Sequence, residues 1–182
     1  MQAFRSFFQF ILLTVSLVLS GHAAAKTINH AMGTVEIDGV PQRVVVLGQG
    51  SLDVLDRLGV EPVGVVKSLM PDYLAKTYQD DKYIAVGTVK EPDYEAIFTA
   101  KPDLIIAEAR MASLMSELEE IAPTIMFQAD YDHYWQSVQE NWRMLGNVFD
   151  KQEKVDAIID QVNTKMAQAH EKAVADNFSA LM

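Results

Sequence analysis

The sequence contains no cysteine. Disulfides, thiolate metal sites and a cysteine-borne lipid anchor are therefore excluded, and stability has to come from a packed core. Positive charge is also scarce. Lysine and arginine together number 15 against 25 acidic residues, only five of the cations are arginine, and the formal net charge is −10. Such a chain is poorly suited to unspecific contact with nucleic acid or anionic membrane, although a local cationic pocket remains compatible with it. Signals for catalysis are missing as well. Ser51 does not sit in a G-x-S-x-G elbow, no pair of carboxylates is set up for acid–base work, and His30 and His170 stand alone.

Long apolar runs are missing too, with one exception at the start. Phe7 to Leu19 is apolar over 13 residues, broken only by Gln9, Thr14 and Ser16, and follows the cation Arg5. This is too short to span a bilayer comfortably, which takes about 20 residues. "SGHAAAK" follows, with Ala23 and Ala25 at the small positions of an A-x-A cleavage site. Residues 1–25 are expected to be a secretory signal peptide, and the protein to be exported to the periplasm without an anchor.

What remains is enough chain for one ordinary domain with a core. "TVEIDGVPQRVVVL" predicts a hairpin turning at Asp38-Gly39 and leading into a buried strand, Val44 to Leu47. Apolar strands and amphipathic helices then alternate. "SLDVLDRLGV" is a helix stopped by Gly59; "PVGVV", "YIAV", "DLIIA" and "TIMF" are strands. "PDYLAKTY", "PDYEAIFTAK", "MASLMSELEEIA" and "YDHYWQSVQENWRMLGNVF" are the helices between and after them. The order predicts an α/β fold, a mostly parallel sheet flanked by helices, over residues 26–150. Residues 151–176 lack Gly and Pro and carry a single apolar stripe, Val155, Ile158, Ile159, Val162, Met166 and Ala169. As a helix they would be about 40 Å long, enough to cross a whole domain. "NFSALM", residues 177–182, reads as the first strand of a second lobe, so the chain is expected to be one lobe, a linking helix and the beginning of another.

In an open parallel sheet, ligands bind beyond the carboxyl ends of the strands. Those positions hold Gly48, Gln49, Gly50 and Ser51, then Lys67, then Lys90, then Arg110, then Gln128. Three of five strand ends thus carry a cation close by, and an arginine there can hold an anionic oxygen ligand with its planar fork of donors. Arg110 could instead pair with Glu108 or another rim carboxylate. "GQGSLD" is only a partial dinucleotide fingerprint, because Asp53 stands where a third glycine belongs and opposes phosphate at a helix start. "ADYDHYW" gathers Asp130, Asp132 and His133, but reads better as a helix cap by Asp130 or Asp132, with Tyr134 and Trp135 packed in the core. No metal ligand set is expected.

"VEIDGVPQRVVVL", "LDVLDRLGVEPVGV", "VGTVKEPDYEAIFTAKPDLIIAEAR", "ELEEIAPTI" and "YWQSVQENWRMLG" resemble the periplasmic iron–siderophore-binding proteins of ABC importers, most of all the branch for ferric catecholates. The resemblance runs over residues 27–182. It implies two α/β lobes joined by a long helix, with the ligand gripped between them. Arg110 matches the arginine that this lobe lends to a basic cluster, with Lys90, Lys67 and Gln49 as neighbouring ligand-binding candidates. Glu95 matches the glutamate that docks on the membrane permease. Further arginines, a His and a Tyr would come from the second lobe.

The expected function is therefore that of a monomeric binding component, not an enzyme, with no cofactor. Its cargo is a ferric siderophore whose iron is already wrapped by the chelator, and its partner is the inner-membrane permease. The rivals are the same fold carrying haem, cobalamin or a metal ion, and a periplasmic α/β enzyme with an unrecognised site.

Overall fold

The computed structural model describes residues 25–176. The signal peptide expected at residues 1–25, apart from Ala25, and the strand expected at 177–182 lie outside the described residues. Two antiparallel strands, β1 (Ala25–His30) and β2 (Gly33–Asp38), form a hairpin with Ala25 opposite Asp38 and His30 opposite Gly33. The turn is therefore at Ala31-Met32, not at Asp38-Gly39. Gly39, with φ 66°, bends the chain out of β2 instead.

The main sheet follows: β3 (Val44–Val46), β4 (Gly64–Val65), β5 (Ile84–Ala85), β6 (Leu104–Glu108) and β7 (Thr124–Phe127). Its order is β5-β4-β3-β6-β7, and every pairing is parallel. Helices α1 (Gln49–Leu58), α2 (Asp72–Tyr78), α3 (Tyr94–Ala100), α4 (Met115–Glu119) and α5 (Tyr134–Val148) connect or follow the strands. A six-residue 3-10 turn, Ala109–Leu114, precedes α4, so "MASLMSELEEIA" is broken rather than one helix. The last element, α6, runs Gln152–Ala175.

Strand periodicity sorts the core into two layers. Val44, Val46, Leu104, Ile106 and Ile125 pack on one face with Leu52, Leu55 and Leu58 of α1, Leu145 and Val148 of α5, and Val155 and Ile159 of α6. The hairpin adds Ile28 and Ile37 to that layer. Val45, Leu47, Ile105, Ala107 and Met126 face the other way, onto Ile97 and Ala100 of α3 and Met111, Met115 and Leu118. Because both faces are covered, the strands are near-continuous apolar runs.

Helix ends follow local chemistry. Gly59 closes α1 in the left-handed conformation (φ 74°), donating to Asp56, while Val60 donates back to Leu55. Asp93 caps α3 by accepting from the Ala96 amide at 2.9 Å. Arg43 ties down the other end of α3, donating to the carbonyls of Ala100 and Lys101. Trp135 of α5 lies edge-on to Trp142 and donates to Asn163 of α6 at 2.8 Å. No described helix is long and apolar enough to cross a membrane.

Candidate functional site

All five strands of the main sheet point their carboxyl ends to one edge, and the loops leaving four of them enclose a hollow of about 250 Å³. Leu47, Gly48 and Gln49 come from the β3 exit, Leu69 from β4, Val89 from β5, and Glu108 and Arg110 from β6. The hollow thus joins one cation to the aliphatic side chains of Leu69 and Val89, while the Leu47 side chain is buried in the core beneath it.

Its left and right walls are fixed by polar contacts. Glu108 turns its carboxylate onto the start of α1, where Oε1 accepts from the Ser51 amide at 2.7 Å and from the Ser51 hydroxyl at 2.8 Å. A Cβ on Gly48 would lie 2.0 Å from the Glu108 carboxyl carbon, and one on Gly50 would lie 3.3 Å from Oε1. The glycines of "GQGSLD" therefore make room for the chain's own carboxylate at a helix N-terminus, a place that favours negative charge. Opposite, the Gln49 side-chain amide donates to the carbonyls of Val66 (2.9 Å) and Ser68 (3.2 Å) and holds the β4 exit loop.

Arg110 is exposed and, among the described residues, forms no ion pair and donates no side-chain hydrogen bond. The other three arginines of the described residues are committed: Arg43 to the end of α3, Arg57 to Asp53, and Arg143 to Asp156. The alternative pairing of Arg110 with Glu108 is not formed, because Glu108 is engaged by Ser51.

The other expected ligand residues divide. Gln49 shares the hollow with Arg110. Lys67 does not line it; its ammonium donates to the carbonyls of Gln79 (3.3 Å) and Asp80 (2.9 Å) beyond α2. Lys90 sits exposed in the tight turn Thr88–Glu91, next to Val89 of the lining, and is not itself part of it. Glu95 lies on a different surface, in a shallow groove with Tyr94, Phe98, Glu117, Glu120 and Ile121. Phe98 there is 70% exposed, and burial together with the Glu117 carboxylate pushes the Tyr94 phenol up.

A larger hollow of about 410 Å³ lies beside the hairpin, between Asn29, His30, Gln128, Asp130 and Glu140. Much of its polar lining is satisfied internally: Asn141 bridges both backbone groups of Gln128, and the Ser137 hydroxyl accepts from the Asp130 amide. Asp130 is not a helix cap. It accepts from the Asp132 amide and faces His133 at 3.5 Å, and those contacts hold its carboxyl below the usual range. Tyr134 is 57% exposed rather than packed in the core, and faces Tyr131. Among the described residues no group of three or more His, Asp or Glu side chains could hold a metal ion.

With this geometry in hand, the decisive comparison is a family model for periplasmic binding proteins, which matches residues 44–181. The chain belongs to the periplasmic binding protein family. Among curated relatives, the petrobactin-binding protein YclQ of Bacillus subtilis is 38% identical over 144 residues, 78% of this chain and 45% of that protein. The Fe(3+) dicitrate-binding periplasmic protein FecB of Escherichia coli is 33% identical over 171 residues, 90% of this chain and 55% of that protein. Among solved structures, the periplasmic catecholate-siderophore binding protein VctP from Vibrio cholerae superposes with a TM-score of 0.78 at 44% identity, over 85% of this chain and 56% of that one. The chain spans about half the length of the curated relatives it matches.

Proposed function

We propose that this protein captures a ferric siderophore of the catecholate type in the periplasm and delivers it to an ABC permease of the inner membrane. The observation that carries the reading is the uncommitted Arg110 guanidinium in a hollow walled by Leu69 and Val89. A ferric catecholate presents anionic oxygens on aromatic rings. A guanidinium donates charge-assisted hydrogen bonds to such oxygens, while aliphatic walls suit the rings. Iron arrives as cargo inside its chelator, so the protein needs few metal ligands of its own.

Similarity to VctP, whose ligand is a catecholate siderophore, and to YclQ, which binds petrobactin, supports the cargo. The exposed Phe98 among Glu95, Glu117 and Glu120 supports a docking surface separate from the hollow. Residues 1–25 direct export, 151–176 link two lobes, and the protein works as a monomer without a cofactor or catalytic step. Lys90, from the turn beside Val89, adds positive charge at the rim.

The test is Arg110→Ala in the whole protein. Affinity for a ferric tris-catecholate should fall by roughly 1–3 kcal/mol, about 5- to 150-fold. Unchanged affinity refutes the role. Ferric dicitrate, haem and cobalamin serve as competitors, and preference for any of them over the catecholate replaces the proposed cargo.

A further inference from the structure

Leu69 combines two unfavourable features. Its backbone is left-handed, with φ 55°, and its side chain is 82% exposed. Among the described residues two other non-glycines have positive φ: Lys101, which closes α3, and Asp150, which follows the end of α5. Both sit where helices ordinarily terminate in that conformation. Leu69 terminates nothing. It precedes Met70 and the Pro71 that opens α2, and leucine has no side-chain group to stabilise the left-handed region.

The conformation is nevertheless held from several sides. Gln49 grips the carbonyls on either side of Lys67, Gln79 donates to the Lys67 carbonyl at 2.8 Å, and Met70 packs against the core. Two buried side-chain oxygens here, Gln49 Oε1 and Ser68 Oγ, have no hydrogen-bond partner among the described residues. Strain and unmet polar groups thus meet where the start of α1 touches the β4 exit loop, and that loop places an aliphatic side chain on the wall of the hollow that contains Arg110. Conformational strain that the surroundings over-determine is typical of ligand clamps.

Building on the catecholate reading, we propose that Leu69 is a ligand-contacting, specificity-determining residue, packing on an aromatic ring of the chelate while Arg110 holds its oxygens, and that Gln49 positions it. Leucine's only gain from this placement comes when a ligand covers it, since in the free protein it stays in water.

The experiment measures unfolding midpoint and affinity for an iron(III) tris-catecholamide complex in the whole protein, for wild type, Leu69→Asn and Leu69→Met. Asparagine keeps the same branching, with four side-chain heavy atoms, replaces the methyl groups by polar atoms and tolerates the left-handed region. It should leave the midpoint unchanged or raised while affinity falls by about 5-fold or more, and methionine should stay within about 2-fold of wild type. A purely structural leucine would move stability and affinity down together, and that outcome overturns the proposal. So does an asparagine variant that binds like wild type. If wild type itself fails to bind the complex, the catecholate reading falls and this inference with it. If wild type binds and Arg110→Ala weakens binding while Leu69→Asn does not, only the inference falls.

Discussion

Glu108 Oε1 accepts hydrogen bonds from both the amide and the hydroxyl of Ser51, at 2.7 and 2.8 Å, although the two residues are 57 positions apart. One contact therefore does three jobs. It satisfies an orphan amide at the start of α1, fastens the end of β6 to the β3 exit, and keeps the carboxylate away from Arg110, two residues further on. The guanidinium is left uncommitted because the nearest anion in sequence has a better partner.

Gly48→Ala should expel that carboxylate, since the new methyl would lie 2.0 Å from the Glu108 carboxyl carbon. The end of a glutamate can swing away, so the cost is chiefly the lost bonds to Ser51, about 1–3 kcal/mol. Glu108→Ala should cost a similar amount. The two changes remove the same interaction, so denaturant unfolding of the double variant should show much less than the sum. Full additivity would contradict this coupling.

Gly87→Ala tests the turn that carries Lys90. Gly87 has φ 97°, and a Cβ there would lie 2.3 Å from the Glu91 carbonyl oxygen and 2.6 Å from the Asp93 amide nitrogen. These are backbone atoms held by the Thr88–Glu91 and Val86–Asp93 hydrogen bonds, so they cannot step aside alone. Strain at this residue alone should lower stability by roughly 1–3 kcal/mol, with the clash adding to it. An alanine variant with a wild-type unfolding curve would rule out this geometry.

His30 should make the hairpin sensitive to acid. Burial lowers its pKa below 6.5, only partly offset by the Glu119 carboxylate, and its Nδ1 accepts from the Met32 amide at 3.3 Å, which requires an unprotonated nitrogen. A depressed folded-state pKa means that the unfolded chain binds the proton more readily. The contribution is thus complete above pH 6.5 and is lost as pH falls through the lower folded value. His30→Asn keeps an acceptor and removes the titration. Between about pH 7 and about pH 5 the wild type should lose more stability than the variant; parallel curves would remove His30 from the account.

Glu95→Lys should separate delivery from capture. Glu95 lies in the groove with the exposed Phe98, away from the Arg110 hollow. Charge reversal should abolish siderophore-dependent stimulation of the permease's ATPase while ferric catecholate affinity stays within about 2-fold of wild type, since a rim charge acts mainly on its own partner. Intact stimulation would place docking elsewhere.

Much of the fold was legible because its signals are local or periodic. Leu104–Ala107 and Thr124–Phe127 are short apolar runs between turns, and Gly59 marks a helix end by chemistry that needs no tertiary context. The hairpin turn was misplaced because Asp38-Gly39 carries the stronger turn signal, whereas Ala31-Met32 carries almost none and is fixed by register with Ala25–His30. In the site, the strand-end rule pointed to Gln49 and Arg110 together. The Glu108–Ser51 contact and the diversion of Lys67 to the carbonyls beyond α2 depend on how distant segments meet, and no spacing in the chain encodes them. Leu69 carries no signal in the sequence, since neither its backbone angle nor its exposure can be read from its neighbours.

Helix α6 is rooted unevenly. Val155 and Ile159 are buried, Trp135 reaches across to Asn163, and beyond that point Met166 and Val174 stand 51% and 66% exposed. A helical run of about a dozen residues is marginal in water when it has no packing of its own. Backbone amides should therefore exchange slowly near the root and progressively faster toward Ala175, so anything that touches the outer turns sets how far rigidity extends along the rod.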